Sequence, residues 1–149
     1  MSLLVVGTVA FDKIETPFGK TNKVLGGAGT YIGIASSYFT NQLNILSVIG
    51  EDFPKEYSKI FRDHNINTDG IKIVKGGKTF FWEGVYHNDM NSRDTITTEL
   101  NVLADFNPII PENYKNCEFL MLGNLDPTIK KIHQIKSTGG APQNPKNCF

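Results

Sequence analysis

Leu3-Leu4-Val5-Val6 is an unbroken apolar run, stopped at once by Gly7. A strand with one wet face alternates polar and apolar residues. A continuous β-prone run therefore belongs to a strand covered on both sides, as in a parallel sheet flanked by helices. Two later segments read as core strands of the same kind: Asn44 to Ile49, closed by Gly50-Glu51-Asp52, and Phe119 to Leu122. Parallel neighbours need long crossovers, and helical patterns lie where crossovers belong. After Gly26-Gly27-Ala28-Gly29, the apolar positions Tyr31, Ile32, Ile34, Ala35 and Tyr38 recur as on a buried helix. Pro54 opens a second helix with Tyr57, Ile60 and Phe61 on one face, ending near His64-Asn65.

Between these elements the pattern shortens. Residues 13 to 25 alternate β-prone stretches around a Pro17-Phe18-Gly19 turn. Residues 71 to 86 do the same through Ile71, Ile73, Val74 and Phe80-Phe81-Trp82, and Thr95 to Leu103 is β-prone again. The stretch from His87 to Asp94 is polar and reads as a loop. The expected fold is α/β: a mainly parallel sheet with helices outside it and a small β appendage built from about 13–25 and 71–103. Asp126-Pro127 has the form of a helix start. From Ser137 to Phe149 there is almost nothing to bury. One reading is a flexible terminus. The reading favoured here is an α/β domain over 1–136 followed by a non-native-looking or disordered tail, 137–149, left by a truncation or frameshift.

Charge limits the partners. Fifteen basic and fifteen acidic residues cancel, so no broad positive field draws in nucleic acid or an anionic membrane. Apolar residues make up 40% of the chain and charged ones 20%, which argues for a folded domain. The first residues carry no basic side chain and only four apolar ones in a row, too few for a signal-peptide core or a membrane span, and a cytoplasmic protein is expected. Cys117 and Cys148 stand far apart and outside any CxxC pair, compatible with a reducing compartment.

Two features carry chemistry. Asp12 lies just past the first core strand, and in open α/β sheets ligands bind beyond the carboxyl ends of strands. A carboxylate there can accept hydrogen bonds from two adjacent hydroxyls, though a turn-former or surface charge fits the same position. The second feature is Gly26-Gly27-Ala28-Gly29 ahead of a helix, where a ligand can press on the backbone and helix-end amides can donate to oxygens. It is no dinucleotide fingerprint, because Ile32 stands at the third glycine, and no P-loop, because no Lys-Ser or Lys-Thr follows. A tight turn packing a helix on a sheet is its plain alternative.

The order of these elements resembles the ribokinase-like (PfkB) carbohydrate kinase family over roughly the first 130 residues. The elements are a strand ending Gly-x-x-x-x-Asp, a short β excursion, Gly-Gly-x-Gly opening a helix, and a strand ending Val48-Ile49-Gly50-Glu51-Asp52. The resemblance implies phosphorylation of a sugar or nucleoside hydroxyl with ATP and Mg2+. It also implies a β lid over the substrate and, as in some relatives, a homodimer through that lid. It points to Asp12 as the hydroxyl-binding aspartate, to Gly26 and Gly27 as the pair along the substrate, and to Asn124 as a polar contact after a core strand. The family usually has Asn where this chain has Tyr31, and Gly where it has Tyr57, so the substrate contact at Tyr31 becomes a phenol.

Phe80, Trp82 and Tyr86 alternate on one strand face and suit either a sugar ring or lid packing. His87, Asp89 and Asp94 are too irregular for a metal site, and Arg93 is either a surface charge or a contact to an anionic group. The family's base and anion hole lie in a Gly-x-Gly-Asp helix start, and no Gly-x-Gly-Asp occurs among the 149 residues. The implied function is thus the substrate-binding half of a sugar or nucleoside kinase, expected to be inactive as this chain. The alternative is a non-catalytic sugar-binding or interaction module.

Overall fold

Ser2–Val6 (β1) runs parallel to Gln42–Gly50 (β5) on one side and to Phe119–Leu122 (β9) on the other. Ile66–Val74 (β6) lies parallel beyond β5, giving the order β6-β5-β1-β9. The computed structural model describes residues 1–126. The helix expected from Asp126-Pro127 and the tail expected at 137–149 lie outside the described residues.

The apolar run in β1 behaves as its composition requires. Leu4 and Val6 join Leu46, Val48, Phe106 and Tyr114 on one face of the sheet. Val5 joins Leu43, Ile45, Ile49 and Phe61 on the other. Alternate residues of the same run thus enter different cores, so β1 reads as continuously apolar and not alternating.

Ala28–Ser37 (α1) and Lys55–Asp63 (α2) form the crossovers to β5 and β6. Phe61 of α2 and Ile32 and Ile34 of α1 pack on the same face, as two successive right-handed crossovers demand. Pro54 sits one position earlier than expected, as the extended residue capping α2. The helix ends at His64, followed by Asn65 at φ 53°, a conformation that Asn tolerates better than most side chains.

The apolar spacing read for α1 marks its inner side only in part, through Ile32 and Ile34. Tyr31, Ala35 and Tyr38 are exposed, whereas Gly29, Thr30 and Gly33 are buried. The helix lies so close to the sheet that a methyl group at Gly33 would stand 3.3 Å from Ile66 Cδ1. Small residues therefore face inward and the aromatic ones outward.

A second sheet contains Ala10–Thr16 (β2), Gly19–Lys20 (β3), Val24–Gly26 (β4), Phe81–Tyr86 (β7) and Arg93–Glu99 (β8). Its order is β3-β2-β7-β8, with β4 also paired to β2, and its β2–β7 pair is parallel. The appendage is therefore present with altered boundaries. Residues 71–74, expected there, belong to β6 in the main sheet because Leu46 to Gly50 offer them an unpaired parallel edge. Residues 101–103, expected as strand, form a 3-10 turn starting from Asn101 at φ 48°.

Glycine brings the two sheets and α1 together. A Cβ at Gly7 would lie 2.8 Å from the Gly29 backbone, and one at Gly123 3.3 Å from Gly7 Cα. The ends of β1 and β9 and the first turn of α1 thus meet main chain to main chain. Gly27, at φ 93°, caps α1 without a side chain, and Thr8 supplies the missing acceptor from another segment. Its hydroxyl accepts from the Ala28 N–H at 2.9 Å and its carbonyl from the Gly29 N–H at 2.8 Å.

Two predictions follow from this geometry. Gly29→Ala should cost about 2–3 kcal/mol by overpacking, and Thr8→Val about 1 kcal/mol by orphaning a helix-end donor, both read as denaturant midpoints. Unchanged midpoints would remove the crossing from the stability argument. Second, β9 carries Phe119, Leu120 and Met121 at 55, 45 and 41% exposure, and among the described residues it has a strand on one side only. An apolar strand edge without Lys or Pro favours self-association wherever it is left unpaired. Phe119→Lys should raise the monomer fraction in size-exclusion chromatography with light scattering, with Tm within about 2 °C.

Candidate functional site

Strand order changes direction at β1: the chain moves outward through β5 and β6, then returns to the other side of β1 for β9. In open α/β sheets the crevice beyond the carboxyl ends at such a point receives ligands. The glycine crossing lies there, and Asp12 stands beside it on β2, opposite Val24 and Trp82.

The carboxylate is tightly set. A Cβ at Gly26 would lie 2.1 Å from Asp12 Oδ2 and 2.3 Å from Cγ, so the acid occupies the space that any other residue at 26 would fill. Burial pushes the Asp12 pKa up, and a hydrogen bond from the Gly27 N–H partly opposes the shift. One donor leaves most of the carboxylate's acceptor capacity free for hydroxyls.

The structure thus brings Asp12, Gly26 and Gly27 into one constellation. Tyr31 lies one turn into α1, its N–H donating to the Gly27 carbonyl at 3.2 Å and its ring 57% exposed. Asn124 is exposed and directly follows Gly123, whose Cβ position is 3.2 Å from Ala28 Cβ. The expected role of the helix-end amides needs correction. The Gly27 N–H serves Asp12, and the Ala28 and Gly29 N–H groups serve Thr8, so these amides are occupied within the protein.

Thr8 was not singled out in the sequence. The signal for it was a glycine-rich helix start with no Ser, Thr, Asp or Asn at the cap, which requires an acceptor from elsewhere. The Gly50-Glu51-Asp52 element turns out to be a clasp. Asp52 Oδ1 accepts from the N–H and hydroxyl of buried Thr79 at 2.8 and 2.7 Å, and Thr79 Oγ1 accepts from the Gly50 N–H at 3.0 Å. Glu51 accepts from the Gly76 N–H at 3.0 Å. These bonds hold the segment that leaves β6 for β7.

Tyr57 also joins the two sheets. Its ring lies 6.2 Å from Phe11 and 5.8 Å from Phe53, and its hydroxyl donates to the Lys23 carbonyl at 3.3 Å. Lys23 Nζ in turn stands 4.8 Å from the Phe81 ring centre.

Trp82 and Tyr86 share a face of β7, while Phe80 precedes the strand. The Arg93 guanidinium lies 5.6 Å from the Trp82 ring and 5.9 Å from that of Tyr86. In the connecting turn His87 pairs with Asp94 at 2.8 Å, and Asp89 accepts from the Asn91 and Ser92 N–H groups and from the Ser92 hydroxyl. The Ser92 bonds foremost lower the Asp89 pKa.

ATP and Mg2+ find no fit among the described residues. No group of three or more His, Cys, Asp or Glu side chains is placed to hold a cation. The one glycine-rich helix start spends its leading amides on Thr8 and Asp12, leaving no amide cradle there for a polyphosphate.

No protein-family model matches the chain. In sequence it is 27% identical over 139 residues to the cytidine kinase of Thermococcus kodakarensis, covering 91% of this chain and 49% of that protein. In structure it is similar to the ribokinase of Cryptococcus neoformans in complex with ADP, at a TM-score of 0.66 and 20% identity over 95% of this chain and 46% of that one. It is also similar to the nucleoside kinase of Methanocaldococcus jannaschii, an archaeal member of the ribokinase family. That likeness has a TM-score of 0.63 and 22% identity over 87% and 46% of the two chains. The chain spans about half the length of each. No helix among the described residues is long and apolar enough to cross a membrane. With a mostly parallel sheet and flanking helices, the chain has the ribokinase-like fold of these structures and fits its N-terminal portion.

Proposed function

We propose that this chain is the substrate-binding half of an ATP-dependent kinase acting on a hydroxyl of a sugar or nucleoside. The observation that carries the reading is the Asp12 carboxylate, half-buried beyond the carboxyl end of β1 and held over Gly26 by the Gly27 N–H. It can accept hydrogen bonds from two neighbouring hydroxyls of a furanose or pyranose ring. Gly26 and Gly27 admit the ring to the backbone, while Tyr31 and Asn124 border the crevice. The second sheet then serves as the lid. The curated relative's activity as a cytidine kinase, over nearly the whole of this chain, supports the same reading.

Phosphoryl transfer asks for a base and for positive or amide stabilisation of the moving phosphate. The described residues provide neither, so this half is proposed to bind and orient the acceptor hydroxyl. Lack of a general base alone lowers a rate by about 10²–10⁴. A second reading of the same site, carried equally by the Asp12 carboxylate, is a module that binds sugar without transferring phosphate.

Both readings are tested on Asp12. Asp12→Asn should weaken ribose or nucleoside binding by about 100-fold, the loss of roughly 3 kcal/mol from two charge-assisted hydrogen bonds, in a calorimetric titration. Equal binding by parent and variant would sink both. Affinity in the parent should fall as the pH drops through the raised Asp12 pKa, at a higher pH than an ordinary aspartate would give.

The stability effect runs the other way. Folding raises this pKa, so the group's contribution is fully present below its ordinary value of 3.8 and is lost as pH rises through the folded value. Asp12→Asn should therefore melt above the parent at neutral pH and level with it below pH 3.8. A variant less stable at neutral pH would contradict the burial argument.

A further inference from the structure

Thr30 lies in the first turn of α1 and is only 1% exposed, yet its hydroxyl does not serve its own helix. It donates at 2.7 Å to the carbonyl of Gly26, the last residue of β4, across the cap residue Gly27. A helical threonine commonly returns its hydroxyl to the carbonyl four residues earlier, which does no more than satisfy the group. Here that carbonyl belongs to the Gly26–Gly27 peptide, whose N–H donates to Asp12. One peptide plane therefore carries Thr30 at its oxygen and Asp12 at its nitrogen.

That plane needs something to fix its direction. Glycine flanks it on both sides, with Gly27 at φ 93°, so no Cβ opposes its rotation. Rotation would turn the Gly26 carbonyl toward a half-buried carboxylate whose Oδ2 stands 2.1 Å from the Cβ position of Gly26. Oxygen would then face oxygen where water screens little of the repulsion. The hydroxyl bond sets the opposite direction, and by drawing on the carbonyl it strengthens the N–H as a donor. Thr8 cannot substitute, because its hydroxyl and carbonyl take the next two amides, those of Ala28 and Gly29. Thr30 is too buried to meet a ligand, so any effect it has on the crevice passes through this peptide.

We propose that Thr30 is a positioning residue: its hydroxyl holds the Gly26–Gly27 peptide with the N–H on Asp12, and so sets the acceptor that the crevice presents. What a ligand gains from this rests on the substrate reading of Asp12 given above. The hold on the carboxylate does not.

The proton on Asp12 reports on the arrangement. Burial raises its pKa and the Gly27 bond lowers it, so weakening that bond leaves burial less opposed and the pKa rises further. The charged groups nearby are engaged with one another or with rings. Val24 on β4 and Trp82 on β7 stand opposite Asp12. Lys13 pairs with Glu83 at 2.8 Å, Lys23 lies over the Phe11 and Phe81 rings, and Tyr31 is the one titratable side chain of α1.

The full chain, its aspartate carboxyl carbons labelled, is titrated by NMR without ligand, and Asp12→Asn identifies the Asp12 signal. In the parent, the Gly27 amide proton should move upfield as the pH falls, with the midpoint of Asp12. A Gly27 amide indifferent to that titration would overturn the proposal without recourse to a variant. Thr30→Val keeps the shape and removes the hydroxyl, and should carry the Asp12 midpoint to higher pH. Thr30→Ser restores the donor and should bring it back. An unmoved midpoint in Thr30→Val, or a shift that Thr30→Ser shares, would reduce the residue to packing and overturn the proposal. Calorimetry with ribose and cytidine at neutral pH should show Thr30→Val binding about tenfold more weakly, as the loss of one hydrogen bond implies, and Thr30→Ser binding as the parent does. Equal affinities in parent and Thr30→Val would overturn the proposal. Silence of the parent toward both ligands, with the carboxyl midpoints moving as stated, would remove the substrate reading of Asp12 and support the hold of Thr30 on it.

Discussion

The main-chain contact between Gly7 and Gly29 sets the distance at which everything else in this half is built. Side chains on either residue would push α1 off the end of β1. That displacement would carry away the Ala28 and Gly29 amides from Thr8 and the Gly27 amide from Asp12. Gly123 adds the end of β9 to the same point. Because the contact is backbone on backbone, no rotamer change can absorb an added methyl group, and the cost falls on the register of strand and helix. The crevice owes its shape to three absent side chains as much as to those present.

Around that point, polar groups are arranged so that few of them remain for outside use. The start of α1 borrows its cap from Thr8, and the end of β5 is tied to Thr79 through Asp52. Ser47, buried, accepts from the Val9 N–H at 3.1 Å. No buried side-chain nitrogen or oxygen among the described residues lacks a partner. Asp12 differs in kind: it is half-buried, held by a single internal donor, and shifted toward its neutral form by burial. A carboxylate kept at a cost to folding suits the binding role proposed for Asp12, in which a ligand would supply further hydrogen bonds.

The second sheet is fastened to the first by contacts of a different character. Phe11 on β2 stacks on Phe53 at 5.9 Å between ring centres, Tyr57 closes the group, and Lys23 stands near the Phe11 and Phe81 rings. These ring contacts lie on the face opposite Asp12 and Trp82, because Phe11 and Phe81 are their immediate sequence neighbours on the two strands. One face of the accessory sheet thus anchors it to the body, and the other carries Asp12, Trp82, Tyr86 and Arg93. This division follows from the two-residue period of a strand.

Much of this was legible in the amino-acid order. The apolar run of β1 required burial on both faces and hence a parallel sheet, and Gly-rich punctuation with a displaced aspartate pointed to a crevice at the strand ends. Those are local properties, written in period and residue type. Three things depended on the tertiary structure. Residues 71–74 carry the same β-prone character as the appendage, and only the open edge of β5 drew them into the main sheet. The buried stripe of α1 consists of Gly29, Thr30 and Gly33, because closeness to the sheet overrode hydrophobicity. The partners of the helix-end amides come from Thr8 and Asp12, 15 to 21 residues earlier in the chain. A sequence encodes which side chains seek burial or a donor. Which distant backbone meets them is decided only when strands and helices close on one another.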